Sequence, residues 1–132
     1  MQEFKEAVES QDQTRIEALL ADDVVFRSPA VHKPYQGKPV VSAILRAVIR
    51  VFEDFHYTRE IGDPSSADSV LVFEARVGDR ALEGADFIHA NPAGLIDDLR
   101  VMIRPLSGLQ RVVEGMGAAL PAAMKELGVD PR

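Results

Sequence analysis

The hydrophobic period of this chain changes sharply at Phe52, and that change limits the folds open to it. From Pro39 to Phe52 the apolar residues Val40, Val41, Ile44, Leu45, Val48, Ile49 and Phe52 recur at helical spacing and form a wide stripe. Beyond Phe52 the period drops to two. Phe55 to Ile61, Ser69 to Val77, Arg80 to Ala90 and Leu95 to Arg104 read as strands, separated by Gly62-Asp-Pro-Ser-Ser66, Gly78-Asp79 and Asn91-Pro-Ala-Gly94. Strands joined by such short turns pair antiparallel with their chain neighbours, as a meander. A helix with so broad an apolar stripe needs a large flat partner, most simply that sheet.

The flanking segments fit the same plan. Residues 2–10 and 13–21 read as two short helices, the second carrying Ile16, Leu19 and Leu20 at helical spacing. Asp22-Asp23 ends that run, and Val24 to Ser28 is β-branched and strand-like. Pro29 to Gly37 holds Pro29, Pro34 and Gly37 and reads as a loop or a short irregular hairpin. At the other end, Ser107-Gly-Leu-Gln110 has the capping-box pattern, followed by a stripe of Leu109, Val112, Val113, Met116 and Leu120. Pro121 is expected to kink or restart this helix, leaving Ala122 to Gly128 as a short tail helix. The sum is a single α+β domain over residues 1–132, with a cone-shaped, curved, mostly antiparallel sheet wrapped around the long helix. Such a cone leaves room for an apolar cavity between sheet and helices, the usual setting of a small-molecule site.

Composition removes several functions. The chain has 132 residues, 46% of them hydrophobic, enough for one sizeable core. It has no cysteine, which excludes disulfides, thiolate zinc sites and a cysteine nucleophile. A net charge of −6, with no Trp and two Tyr, gives neither the basic face nor the stacking platform that nucleic acids require. No apolar run approaches the roughly 20 residues of a membrane helix, and the charged start Met1-Gln-Glu-Phe-Lys-Glu6 has no signal-peptide character. A cytoplasmic protein that touches neither nucleic acid nor membrane is expected. His32, His56 and His89 lack metal-ligand spacing, and Asp97-Asp98 alone is no metal motif, so no metal and no cofactor are expected.

Asp86 is the residue that stands out. It shares period-two parity with Leu82, Gly84, Ile88 and Ala90, which sets one carboxyl group among small and apolar neighbours. A carboxyl there titrates high or has a partner. It is either a ligand contact inside the cavity, acting as acid or hydrogen-bond donor, or a buried carboxylate tied to Ser28, Tyr57 or a histidine. By parity, Leu99, Val101 and Ile103 face the cavity with it, and Phe26 shares a face with Ser28. Tyr57 and Arg59 share one strand face, lining either the pocket or an interface. His32 lies in the loop expected to border the cavity mouth and is the candidate general base. His89 has the opposite parity and faces outward, with Phe87, Arg100, Met102 and Arg104. That outer face is the expected homodimer contact, since an open apolar sheet face invites association.

Leu20-Ala-Asp-Asp-Val-Val-Phe-Arg-Ser-Pro29, Gly37 before the long helix, Asp86-Phe-Ile-His-Ala-Asn-Pro-Ala-Gly94-Leu-Ile and Leu99-Arg-Val-Met-Ile-Arg-Pro105-Leu together resemble the nuclear transport factor 2-like superfamily. That group includes ketosteroid isomerase, limonene epoxide hydrolase, scytalone dehydratase and the SnoaL-like polyketide cyclases. The resemblance covers nearly the whole chain and implies a ketosteroid isomerase-like or SnoaL-like fold. It does not carry one chemistry, because the scaffold hosts many. Ketosteroid isomerase uses an Asp base, a Tyr and a protonated Asp. Here the base position before Pro29 is Ser28, the tyrosine position falls near Phe4, and only the protonated acid is matched, by Asp86. The epoxide hydrolase branch positions water with an Asp–Arg–Asp cluster. The arginine position two residues before Asp86 is Gly84, which leaves Asp97 and Arg76 as the residues that could complete a set.

Two functions therefore stand side by side. One is an isomerase, cyclase, dehydratase or hydrolase acting on a small, largely apolar molecule with a carbonyl or hydroxyl group. The other is a non-catalytic ligand-binding or dimerisation module of the same fold.

Overall fold

Helix α3 (Lys38–Val51) organises the fold. It opens after Gly37, whose φ of 100° is one that residues with a Cβ rarely adopt, and Pro39 occupies its first turn. Its apolar stripe buries Val41, Ala43, Ile44, Ala47 and Val51. The computed structural model describes residues 1–130. Around α3 stand α1 (Gln2–Glu9), α2 (Gln13–Ala18), β1 (Leu20–Arg27), β2 (Tyr35–Gln36), β3 (Glu53–Ile61), β4 (Asp68–Val77), β5 (Arg80–Ala90), β6 (Ile96–Arg104) and α4 (Leu106–Glu126).

The six strands form one sheet in the order β2-β1-β6-β5-β4-β3. Strands β3 to β6 are the expected antiparallel meander, and β1 joins it parallel to β6. Gly78, at φ 61°, supplies the left-handed turn between β4 and β5. The loop after Pro29 includes a two-residue hairpin strand, with Val25 opposite Gln36 and Phe26 opposite Tyr35. One face of the sheet packs on the helices around Phe4, Ile16, Leu20, Val24, Val41, Leu71, Ile96 and Leu99, all buried.

Three local expectations change. α4 begins at Leu106 with Pro105 as its N-cap and no side-chain cap, so Ser107 lies inside the helix and makes no capping box. The same helix runs through Pro121 without a break, and no separate tail helix forms. Pro121 and Gly117 are both exposed, so water can satisfy the carbonyl that the proline leaves without a donor. Finally, β3 and β6 each carry a bulge, and both bulges move side chains between faces.

Candidate functional site

Between the concave sheet face and helices α1, α3 and α4 lies a cavity of about 220 Å³. Most of its wall is apolar, with Phe4, Ile44, Val48, Phe52 and Met116 among the residues that the helices and their ends contribute. The sheet and its loops bring Phe26, Ser28, Tyr57, Asp86, Leu99, Val101 and Ile103 to the same wall. The structure thus brings these seven residues to one wall, including Tyr57, whose face the parity argument left open. His32 is not with them. The loop presents Ser28 to Val31 to the cavity, while His32 is exposed and absent from the wall, so its placement gives no support to a role as base.

Asp86 sits on β5 opposite Leu71 of β4 and Val101 of β6, and is 7% exposed. The Tyr57 hydroxyl donates to its Oδ2 at 2.9 Å. Burial is the larger influence on this carboxyl and pushes it up to about 7, while the Tyr57 hydrogen bond pulls in the opposite direction. Burial likewise holds the Tyr57 phenol well above its ordinary value, and the neighbouring Asp86 charge adds to this. Asp86 is therefore held as an acid up to a pH at which a solvated carboxyl is fully ionised. Oδ1 accepts no hydrogen bond from a described residue. Of the partners open to Asp86, Tyr57 is the one used; the Ser28 hydroxyl instead accepts the Ala30 amide at 3.0 Å within its own turn.

Tyr57 reaches the cavity because it pairs with the inward-facing Phe73, and the bulge in β3 that follows it decides where Arg59 goes. Tyr57 pairs with Phe73, and Arg59, two residues on, pairs with Val72, only one residue away on β4. The extra residue reverses the alternation. Tyr57 and Arg59 therefore do not share a face: Tyr57 points to the cavity and Arg59 is exposed. The β6 bulge acts on Asp97 in the same way. Ala90 pairs with Ile96 and His89 with Asp98, which leaves Asp97 as the extra residue. Its Oδ1 lies 2.6 Å from Nδ1 of His89, away from Leu99 and Val101, and this contact raises the His89 titration.

Neither other member of an Asp–Arg–Asp set reaches Asp86. Arg76 is held at the sheet end by Asp54 and Glu53, each at 2.6 Å. Gly84 is needed as glycine: a Cβ there would collide with the Phe73 ring and lie 2.8 Å from the Met102 carbonyl oxygen. Its bareness lets Phe73 lie against the sheet and stack on Phe55 at a centroid distance of 4.8 Å, with Phe52 5.6 Å from each. Tyr57 meets Phe55 edge-on at 5.0 Å. This aromatic wall escaped the sequence reading, although Phe55 and Phe73 have the parity of inward-facing residues. Glu9 and Gln11, also on the wall, escaped it too, because nothing local marks the end of a helix as facing a cavity. No group of three or more His, Asp or Glu able to hold a metal occurs among the described residues. No described helix is long and apolar enough to cross a membrane.

Residues 1–96 match the model of the SnoaL-like domain family. No curated protein matches the chain. Among solved structures, a steroid delta-isomerase from Pseudomonas aeruginosa is 45% identical, with a TM-score of 0.87 over 94% of this chain and 90% of that one. An uncharacterised bacterial protein with a cystatin-like fold from Silicibacter pomeroyi is 36% identical, with a TM-score of 0.84 over 89% and 82% of the two chains. An NTF2-like protein of unknown function from Cytophaga hutchinsonii, at 16% identity and a TM-score of 0.61 over 79% and 86%, shares the fold.

Proposed function

The chain belongs to the SnoaL-like domain family, and from that premise we propose that it binds a small, mainly apolar molecule in its cavity through a single ligand oxygen. The observation that carries this reading is one titratable pair, Asp86 and Tyr57, in an apolar wall. Tyr57 occupies Oδ2, so a protonated Asp86 can donate from Oδ1 to a carbonyl or to a developing enolate oxygen. The hydrogen bond strengthens as charge builds on that oxygen, which favours reactions of the isomerase and cyclase kind. The similarity to the Pseudomonas aeruginosa steroid delta-isomerase supports the same class of chemistry.

2-Naphthol and naphthalene differ only by the oxygen and together test the reading. In Asp86→Leu, which removes the donor but fills the space, 2-naphthol should bind about tenfold more weakly, the worth of one net hydrogen bond. Naphthalene binding should be unchanged. Equal loss for both ligands, or for neither, contradicts the reading. A non-catalytic binder remains the second reading, and Ser28 favours it: it stands at the position that the resemblance to ketosteroid isomerase gives to the Asp base.

The outer sheet face supports a homodimer. Val70, Val72, Ala85, Phe87 and Met102 form its centre, with Phe87 and Met102 exposed. Glu74, Glu83, Arg100 and Arg104 ring it with both signs of charge, the arrangement of an apolar interface core inside a polar rim.

A further inference from the structure

The cavity wall holds two carboxyl groups, Glu9 and Asp86, and no Lys, Arg or His among the described residues. Glu9 is the last residue of α1 and is exposed. A carboxylate at a helix C-terminus faces the negative end of the helix dipole. Here no basic residue in the last turn offsets it, and Glu9 forms no ion pair with a described residue. What holds it is the backbone amide of Tyr57, donating to Oε2 at 3.4 Å. The same tyrosine donates its hydroxyl to Asp86. One side chain thus separates the two carboxyls, with Glu9 at its backbone end and Asp86 at its hydroxyl end. Their surroundings differ sharply, since Glu9 is exposed and Asp86 is buried, and both line the same cavity.

We propose that Glu9 is the general base of this cavity, taking a proton from carbon beside the carbonyl whose oxygen Asp86 holds. The inference rests on the ligand reading above. In the forward step the C–H bond breaks and Glu9 receives the proton. The C–H electron pair forms a carbon–carbon double bond, and the carbonyl π pair moves to the oxygen, which takes its proton from Asp86. Reversal at the same or a conjugated carbon returns the proton from Glu9 and restores Asp86, so the protein ends unchanged. This supplies the base absent at Ser28.

The test uses 2-tetralone, a bicyclic ketone with acidic α-hydrogens, whose exchange into heavy water is followed by proton NMR. 2-Naphthol binding is the parallel readout. Wild type should catalyse exchange, and Glu9→Gln should slow it by a hundredfold or more while 2-naphthol affinity stays within about twofold, a margin well under one net hydrogen bond. Unchanged exchange in Glu9→Gln, with loss in Asp86→Leu, overturns the base and leaves the ligand reading standing. Wild type that binds 2-naphthol but exchanges no proton overturns it equally. Wild type that binds no 2-naphthol overturns the ligand reading, and the base with it.

Discussion

Tyr57 on β3 reaches Asp86 on β5 across the whole width of β4, its hydroxyl 2.9 Å from Oδ2. Alternate strands lie roughly 9–10 Å apart, so only a long side chain aimed along the concave face can span them. Three features make the reach possible. Pairing with Phe73 points Tyr57 inward, Gly84 lets the Phe73 ring lie flat beneath it, and Asp86 has no closer partner among the described residues.

Asp86 should make the protein less stable as pH rises. Its folded value, about 7, exceeds the ordinary carboxyl value of about 3.9. The native state therefore binds more protons between these values, and stability falls with increasing pH across that window. The full effect is on the order of 4 kcal/mol, at about 1.4 kcal/mol per unit. Urea denaturation of wild type and Asp86→Asn at pH 4 to 8 should show a decline in wild type that the variant lacks.

Tyr57→Phe removes the one group that holds the Asp86 carboxyl down, so Asp86 should titrate above 7 in that variant. Above pH 8, where the buried carboxylate loses its donor, the cost should be about 1–3 kcal/mol. Thermal melts at pH 5 and pH 8.5 should separate the two proteins more at the higher pH.

Gly84→Ala should destabilise the fold although it adds one methyl group. The new Cβ meets the buried Phe73 ring and the Met102 carbonyl, and the carbonyl cannot move without disturbing the β5–β6 ladder. A loss of about 1–3 kcal/mol is expected from overpacking, measurable by chemical denaturation. Ala85→Gly, one position along, should leave the Phe73 ring in place.

Met102→Glu tests the outer face. Met102 is 53% exposed, so a charge there costs the monomer little. If the face joins two copies, sedimentation should show a dimer for wild type and at least tenfold weaker association for the variant, since two like charges are then buried together. A monomeric wild type contradicts the dimer.

The sequence carries the fold because the architecture is written in periods. The stripe of α3 and the alternation of β4 and β5 give their elements within a residue or two. What it does not carry is anything set by an interruption of those periods. Tyr57 and Arg59 have the same parity, and so do Asp97 and Leu99, yet a bulge separates each pair across the sheet. A bulge depends on how many residues two strands commit to one ladder, which neither strand encodes alone. Gly84 is similar. In sequence it is a missing arginine, and only the Phe73 ring above it gives its absent side chain a purpose. Glu9 is assigned to the wall by the packing of α1 on the sheet, not by its own segment.

The central claim is that Asp86 is held as an acid near neutrality by its place in the apolar wall, and its own titration tests this most directly. Carbon-13 NMR of protein labelled at aspartate carboxyl carbons, with Asp86→Asn to assign the signal, follows it from pH 3 to pH 9. The account predicts a midpoint of about 7. A midpoint near 4, the value of an ordinary solvated aspartate, would contradict it.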